Sequence, residues 1–299
     1  MIFILFASAA LLMGTACNED SFTQIVEVEL PEHDPRLAIH ILMFSQDAEA
    51  EVLVSNSRSV LSSEAFSVFP DAAVMLSNVG MPTFEYSGNK GRHYAVLPEG
   101  WAVAGRSYTL EVQQEPYPMA SSEQTMPDEP KILSAAVEPD GALGPEGERL
   151  DEITIEVEDA PGEHYYALQA RVETKQVDFF GDTVIQGYPI YMETNDPILS
   201  YASIEGISAL LCSDDAFNSS TYRFLAYTYE QLPVEEENRW LSVRVISLSR
   251  DAFLYLRSLQ QYRDSDGNPF AEPVTVHSNI SDGYGIFGLG HTATLRVDF

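Results

Sequence analysis

Acidic turns, histidines, glycines and aromatics are the residues of this 299-residue chain whose types and spacing could do chemistry. Asp264-Ser265-Asp266-Gly267-Asn268 sets oxygen donors at alternate positions, as a calcium loop begins. An EF-hand loop then wants glycine sixth and glutamate twelfth; here glycine comes fourth and the twelfth residue is not a glutamate. Asp and Asn beside Gly at a helix end are ordinary turn chemistry, so Asp264, Asp266 and Asn268 form only a weak calcium candidate and no metal centre is assigned. The histidines, His33, His40, His93, His164, His277 and His291, show no paired zinc spacing. Gly283-Tyr284-Gly285-Ile286-Phe287-Gly288 spells a dinucleotide fingerprint, but it lacks the preceding βαβ context and the following helix. Glycine there serves better to allow positive φ beside buried Ile286 and Phe287.

With no nucleophile beside a plausible base, no catalytic residue is assigned, no cofactor is expected, and the chain reads as a non-enzyme. The 15 tyrosines and two tryptophans leave ligand stacking open. Trp101, Tyr165, Tyr166 and Tyr284 are the candidate ligand-contact aromatics, and their meeting in one cleft would mark a binding platform. Tyr at this frequency also simply fits half-buried strands.

The two cysteines point to export rather than to a disulfide. Residues 1–16 form an apolar run ending in small residues, the length of a signal-peptide core and too short to span a membrane. Leu12-Met13-Gly14-Thr15-Ala16-Cys17 resembles a lipobox, in which Cys17 would be acylated and become the mature N-terminus; Gly14 stands where leucine is usual, and no Lys or Arg precedes the run. An ordinary secretory signal is the alternative. Acylation of Cys17 leaves Cys212 without an intrachain partner, and the run Ile207-Ser208-Ala209-Leu210-Leu211-Cys212 suits a small buried core residue. Asn18-Glu19-Asp20, directly behind Cys17, resembles the surface-export signal of Bacteroidota lipoproteins.

A net charge of −30, with only three lysines, repels nucleic acid and anionic headgroups. The acidic excess is spread evenly, with 18 acidic and 5 basic residues over 18–130 and 28 and 11 over 131–299, so it reads as a solvation device more than as an acidic binding groove.

Short β-rich runs separated by turn residues predict a mainly β protein. The expected organisation is a signal peptide over 1–16, a tether over 17–22, an N-terminal antiparallel sandwich over 23–117, a linker over 118–131 and a second antiparallel β domain over 132–299. Residues 115–131 hold four prolines and little apolar content, hence the boundary. One helix is expected over about 250–262, capped by Ser249, with Phe253, Leu256 and Leu259 as its apolar stripe. Residues 268–288 mix prolines, glycines and asparagines with large apolar side chains, the mark of a specified loop rather than a linker. A closing strand follows over 291–299.

These motifs carry a resemblance. Residues 100–112 look like the last hairpin of a transthyretin-like or carboxypeptidase-regulatory-like module. Asp159-Ala160-Pro161-Gly162-Glu163-His164-Tyr165-Tyr166, Ser213-Asp214-Asp215-Ala216-Phe217-Asn218 and the run from Pro273 to Gly288 resemble a Bacteroidota lipoprotein family, the domain of unknown function numbered forty-two forty-nine. The resemblance implies an outward-facing outer-membrane lipoprotein, held to the membrane by its N-terminal lipid and partnered by a TonB-dependent transporter in nutrient uptake. It brings no catalytic residues. The alternative function is a cell-surface structural or adhesion protein.

Overall fold

The computed structural model describes residues 33–299, apart from positions 60, 61, 64, 81, 180, 218, 219, 233–237, 269 and 299. The signal-like run, Cys17, the acidic triplet behind it and the first ten residues of the expected N-terminal sandwich, 23–32, lie outside the described residues. Residues Pro35–Phe299 form one compact unit.

The unit is mainly β, with a single long helix towards its C-terminal end. In several strands one face is apolar, which is why alternating runs of the sequence become strands. In β1 (Leu37–Phe44), for example, Leu37, Ile39, Ile41 and Met43 point inward while His40 and Leu42 do not. The first half of the unit continues with β2 (Glu49–Asn56), β3 (Ala73–Leu76), β4 (Glu85–Ser87), β5 (Arg92–Val96), β6 (Ser107–Gln113) and β7 (Ala120–Thr125). Next come β8 (Lys131–Leu143), β9 (Arg149–Glu158), β10 (Tyr165–Val177), β11 (Thr183–Ile190), β12 (Ser200–Ile204) and β13 (Ile207–Ser213). The chain closes with β14 (Thr221–Thr228), β15 (Arg239–Leu248), α1 (Arg250–Ser265) and β16 (Gly283–Asp298).

Ten strands make one sheet in the order β12-β13-β10-β15-β16-β1-β2-β5-β4, with β11 beside β10. Two three-stranded sheets, β14-β9-β8 and β3-β6-β7, complete the fold. Phe287, Leu289 and Val297 share one face of β16 by strand period, and they pack into the two cores: the first two with β1, β2 and β6 residues, Val297 with β9, β10 and β15 residues. Both small sheets therefore cover the same face of the long one. The helix covers the opposite face, where Ala252, Phe253 and Leu256 meet Phe44, Ala167, Leu211 and Ile246.

The arrangement amounts to two sandwiches that share a sheet, which differs from two domains joined by a linker. Residues expected as that linker form β7, whose Ala120, Ser122 and Gln124 face inward. Small and polar inward residues leave no hydrophobic alternation to read, so composition suggested a spacer where a strand stands. The run ending at Cys212, expected only as a core segment, is β13 of the β12–β13 hairpin, and the closing strand starts at Gly283 rather than at 291.

The join is β16. Its first half runs parallel to β1, from Leu37 opposite Gly283 to Phe44 opposite Gly290. Its second half runs antiparallel to β15, from Leu248 opposite Gly290 to Trp240 opposite Asp298. Glycine is demanded here by space. At Gly285, φ is +109° and a Cβ would collide with the Ile39 carbonyl. At Gly288 a Cβ would lie 2.8 Å from the Cβ of Ala252, so its absence lets the helix settle onto the sheet.

The edge of β16 that β15 does not reach is satisfied by side chains and a loop. Asn279 donates its amide to the Phe287 carbonyl at 2.8 Å and accepts the Phe287 N–H at 2.9 Å. Ser249, the helix N-cap by position, gives its hydroxyl oxygen to the Leu289 N–H at 3.2 Å instead of to its own helix. Of the specified loop expected over 268–288, residues 270–282 are largely irregular and held in place by these bonds, whereas 283–288 belong to β16.

Gly285→Ala is expected to cost at least ~3 kcal/mol in denaturant unfolding, because strain at positive φ adds to a backbone collision. Gly267→Ala, with φ of +76° and open space around it, should cost only about 1 kcal/mol.

Candidate functional site

Two places in the fold gather functional groups. One is a groove of about 790 Å³ between the helix and the sheet. β1 supplies His40, the β1–β2 turn Asp47, β2 Glu49 and Glu51, β5 Arg92, the β12–β13 turn Glu205, and α1 Tyr255, Leu259 and Arg263. The groove therefore draws on both sandwiches, and its walls are fixed by the seating of the helix over Gly288.

Its electrostatics are mixed. Lys90 pairs with Glu51, and Arg92 reaches the same carboxylate at 3.3 Å. The Lys90 and Arg92 contacts hold the Glu51 carboxyl below its usual range, led by the hydrogen bond from Lys90. Burial pushes His40 below the usual imidazole value, with Arg92 adding to it, and its ring stands 5.6 Å from that of Tyr255. Asp47 is pushed up to about 6, chiefly by burial and further by Glu205, although the Phe44 N–H donates to it at 2.6 Å. Four carboxylates, a neutral-leaning imidazole, a phenol and an apolar floor suit a polar ligand bearing hydroxyl or ammonium groups.

The other place is built from two turns. β10 begins and β13 ends side by side, with Tyr165 opposite Ser213 and Tyr166 opposite Cys212. That register, together with the Asp214 N–H donating to the His164 carbonyl at 3.1 Å, brings the Asp159–Tyr166 segment against the 3-10 turn Asp214–Ala216. Asp159, His164 and Asp214 result as the one group of three such side chains among the described residues whose ligand atoms lie within 4.8 Å of one another. Asp159 and Asp214 are 5% and 1% exposed. Tyr166 donates its hydroxyl to Asp159 Oδ1 at 2.6 Å, and its ring lies stacked between those of His164 and Phe217. Burial, followed by the hydrogen bond to Asp159, raises the Tyr166 phenol, which keeps it a donor. These groups could hold a cation.

The structure places the candidate aromatics apart. Trp101 is buried in the first core, donating its indole N–H to the Asp47 carbonyl at 3.1 Å, and so props the groove from beneath. Tyr166 is buried in the second core, Tyr165 stacks on Phe253 at 4.7 Å, and Tyr284 stands exposed on β16. They do not form one platform. At the end of the helix, Asp264 in its last turn accepts from Gln260 at 2.8 Å, and in the turn that follows Asn268 accepts the Phe270 N–H at 3.0 Å, ordinary helix-end and turn chemistry. Cys212 is a buried free thiol, raised by desolvation first and by the nearby Asp196, Asp214 and Asp159.

Sequence spacing could not have found the Asp159–His164–Asp214 group, since fifty positions separate its halves. The available signal was that two of the motifs carrying the resemblance each hold an acidic residue at a strand end. A family model described as a domain of unknown function (DUF4249) matches residues 23–296, and the chain belongs to that family. No curated protein matches the chain.

Asp47 gives the groove a measurable pH signature. Its folded state holds an extra proton between the ordinary Asp range near 4 and about 6, so its favourable contribution, complete below that window, is lost as pH rises through about 6. Asp47→Asn keeps an oxygen for the Phe44 N–H. Its melting midpoint should match the wild type near pH 4 and exceed it above pH 7.

Proposed function

We propose that this family member is a non-enzymatic lipoprotein of the outer membrane, facing outward, that binds a ligand or a transporter surface during TonB-dependent nutrient uptake. The groove between helix and sheet carries the binding half of this reading. It is shared by both sandwiches and lined by groups that recognise polar ligands.

The anchor half rests on the sequence: an apolar run of signal length, ending in small residues at Cys17. Among the described residues no helix is long and apolar enough to cross a membrane. A net charge of −30 keeps such a chain off anionic headgroups, so the lipid would act as its hold on the bilayer. The TonB-dependent partner comes from the resemblance and gives the groove a role: capturing substrate, or seating a loop of the transporter.

Labelled fatty acid should mark the wild type and leave Cys17→Ala unlabelled; equal labelling would defeat the anchor. The wild type should also cofractionate with a TonB-dependent transporter in mild detergent, and its deletion should slow uptake. Unchanged uptake with lost attachment would point to the adhesion role instead.

A further inference from the structure

We propose that Asp159, His164 and Asp214 form a binding site for one zinc-like divalent transition cation, set where β10 begins and β13 ends. The first argument is spacing. His164 Nδ1 stands 3.4 Å from Asp214 Oδ2 and 3.6 Å from Asp159 Oδ1. Charge-assisted hydrogen bonds draw such atoms to about 2.7–2.9 Å. Ligands held about 2.1 Å from a tetrahedral zinc ion stand about 3.4 Å from one another. The contact to Asp214 is a hydrogen bond at its long limit, and both spacings match those of ligands sharing one ion.

The second argument is satisfaction. Asp214 is 1% exposed, and its Oδ1 has no hydrogen-bond partner. A buried carboxylate oxygen left so is costly, and a cation held by this carboxylate, whose Oδ2 faces His164, would offset that cost. The third is charge. Two buried carboxylates beside one imidazole carry two negative charges when the ring is neutral and one when it is protonated. A divalent cation with a neutral imidazole brings the sum to zero.

The surroundings are those of a metal centre. Tyr166 orients Asp159 by its 2.6 Å hydrogen bond, as outer partners orient ligating carboxylates. Rings of Tyr166 and Phe217 shield the group, while the His164 side chain keeps 17% of its surface exposed, a way in for the ion. At Gly162 a Cβ would press to 3.2 Å of the His164 ring, so glycine leaves the imidazole room. One imidazole with two carboxylates fits zinc or manganese better than calcium, which prefers oxygen throughout. Three protein ligands leave a coordination position for water or an exogenous group.

The test uses the full chain in mild detergent, stripped with chelator and titrated with Zn²⁺ by calorimetry. One zinc per chain is expected, with affinity at least roughly a hundredfold weaker in His164→Gln and in Asp214→Asn, and unchanged in Asp264→Asn on the surface turn. X-ray absorption at the zinc edge of the loaded wild type should show one imidazole and oxygen neighbours without sulfur, a reading that stands even where a variant does not fold. Failure of the wild type to take up one equivalent, equal affinity in folded variants, or a sulfur neighbour would overturn the proposal.

Discussion

The parallel ladder between β1 and the first half of β16 is the interaction on which the rest of residues 35–299 depends. Parallel neighbours need a crossover connection, and here nearly the entire described chain serves as one: β1 opens the unit and β16 closes it. Within a few residues β16 hands over from β1 to β15, with Gly290 opposite both Phe44 and Leu248. Two sandwiches that could each have formed a separate module are thereby fused along one strand. Such non-local pairing is entropically expensive to close. The fold reinforces it from the edge of β16 opposite β1, using Asn279, Ser278 and Ser249 where a neighbouring strand is missing.

That constraint also places the functional groups. The helix rests on the sheet because Gly288 offers no side chain against Ala252. Asp251 in its first turn is clamped by Gln124 of β7 at 2.7 Å and by His277 of the closing loop at 2.8 Å. Burial would raise the Asp251 carboxyl, but these hydrogen bonds and that from Asn279 outweigh it and hold the group below its usual range. Helix, β7 and loop are therefore tied together through one carboxylate. The groove wall formed by Tyr255, Leu259 and Arg263 takes its position from them.

Much of this was legible in the chain. Apolar runs such as those of β1, β6, β9 and β15 are strands, as a mainly β reading expected, and the helix begins after Ser249, although the Ser249 side chain serves Leu289 rather than capping it. β7 was not legible, because Ala120, Ser122 and Gln124 face inward without hydrophobic contrast. The glycines at 283, 285 and 288 were read as allowing positive φ, which holds at Gly285, but the close approaches to the Ile39 carbonyl and Ala252 became visible only in the fold. The Asp159–His164–Asp214 group depends on the β10–β13 register, which no local spacing encodes. The groove is similar, drawing its lining from β1, β2, β5, a distant hairpin turn and the helix.

Native-state hydrogen exchange across the shared strand is the most direct measurement of the central claim. Amides of Ile41 in β1, Phe287 in β16 and Val245 in β15 should open in one cooperative event, with a single free energy near that of global unfolding. Separate opening of the β1–β2–β6 amides, with β10 and β15 still protected, would show two independent modules and contradict the account.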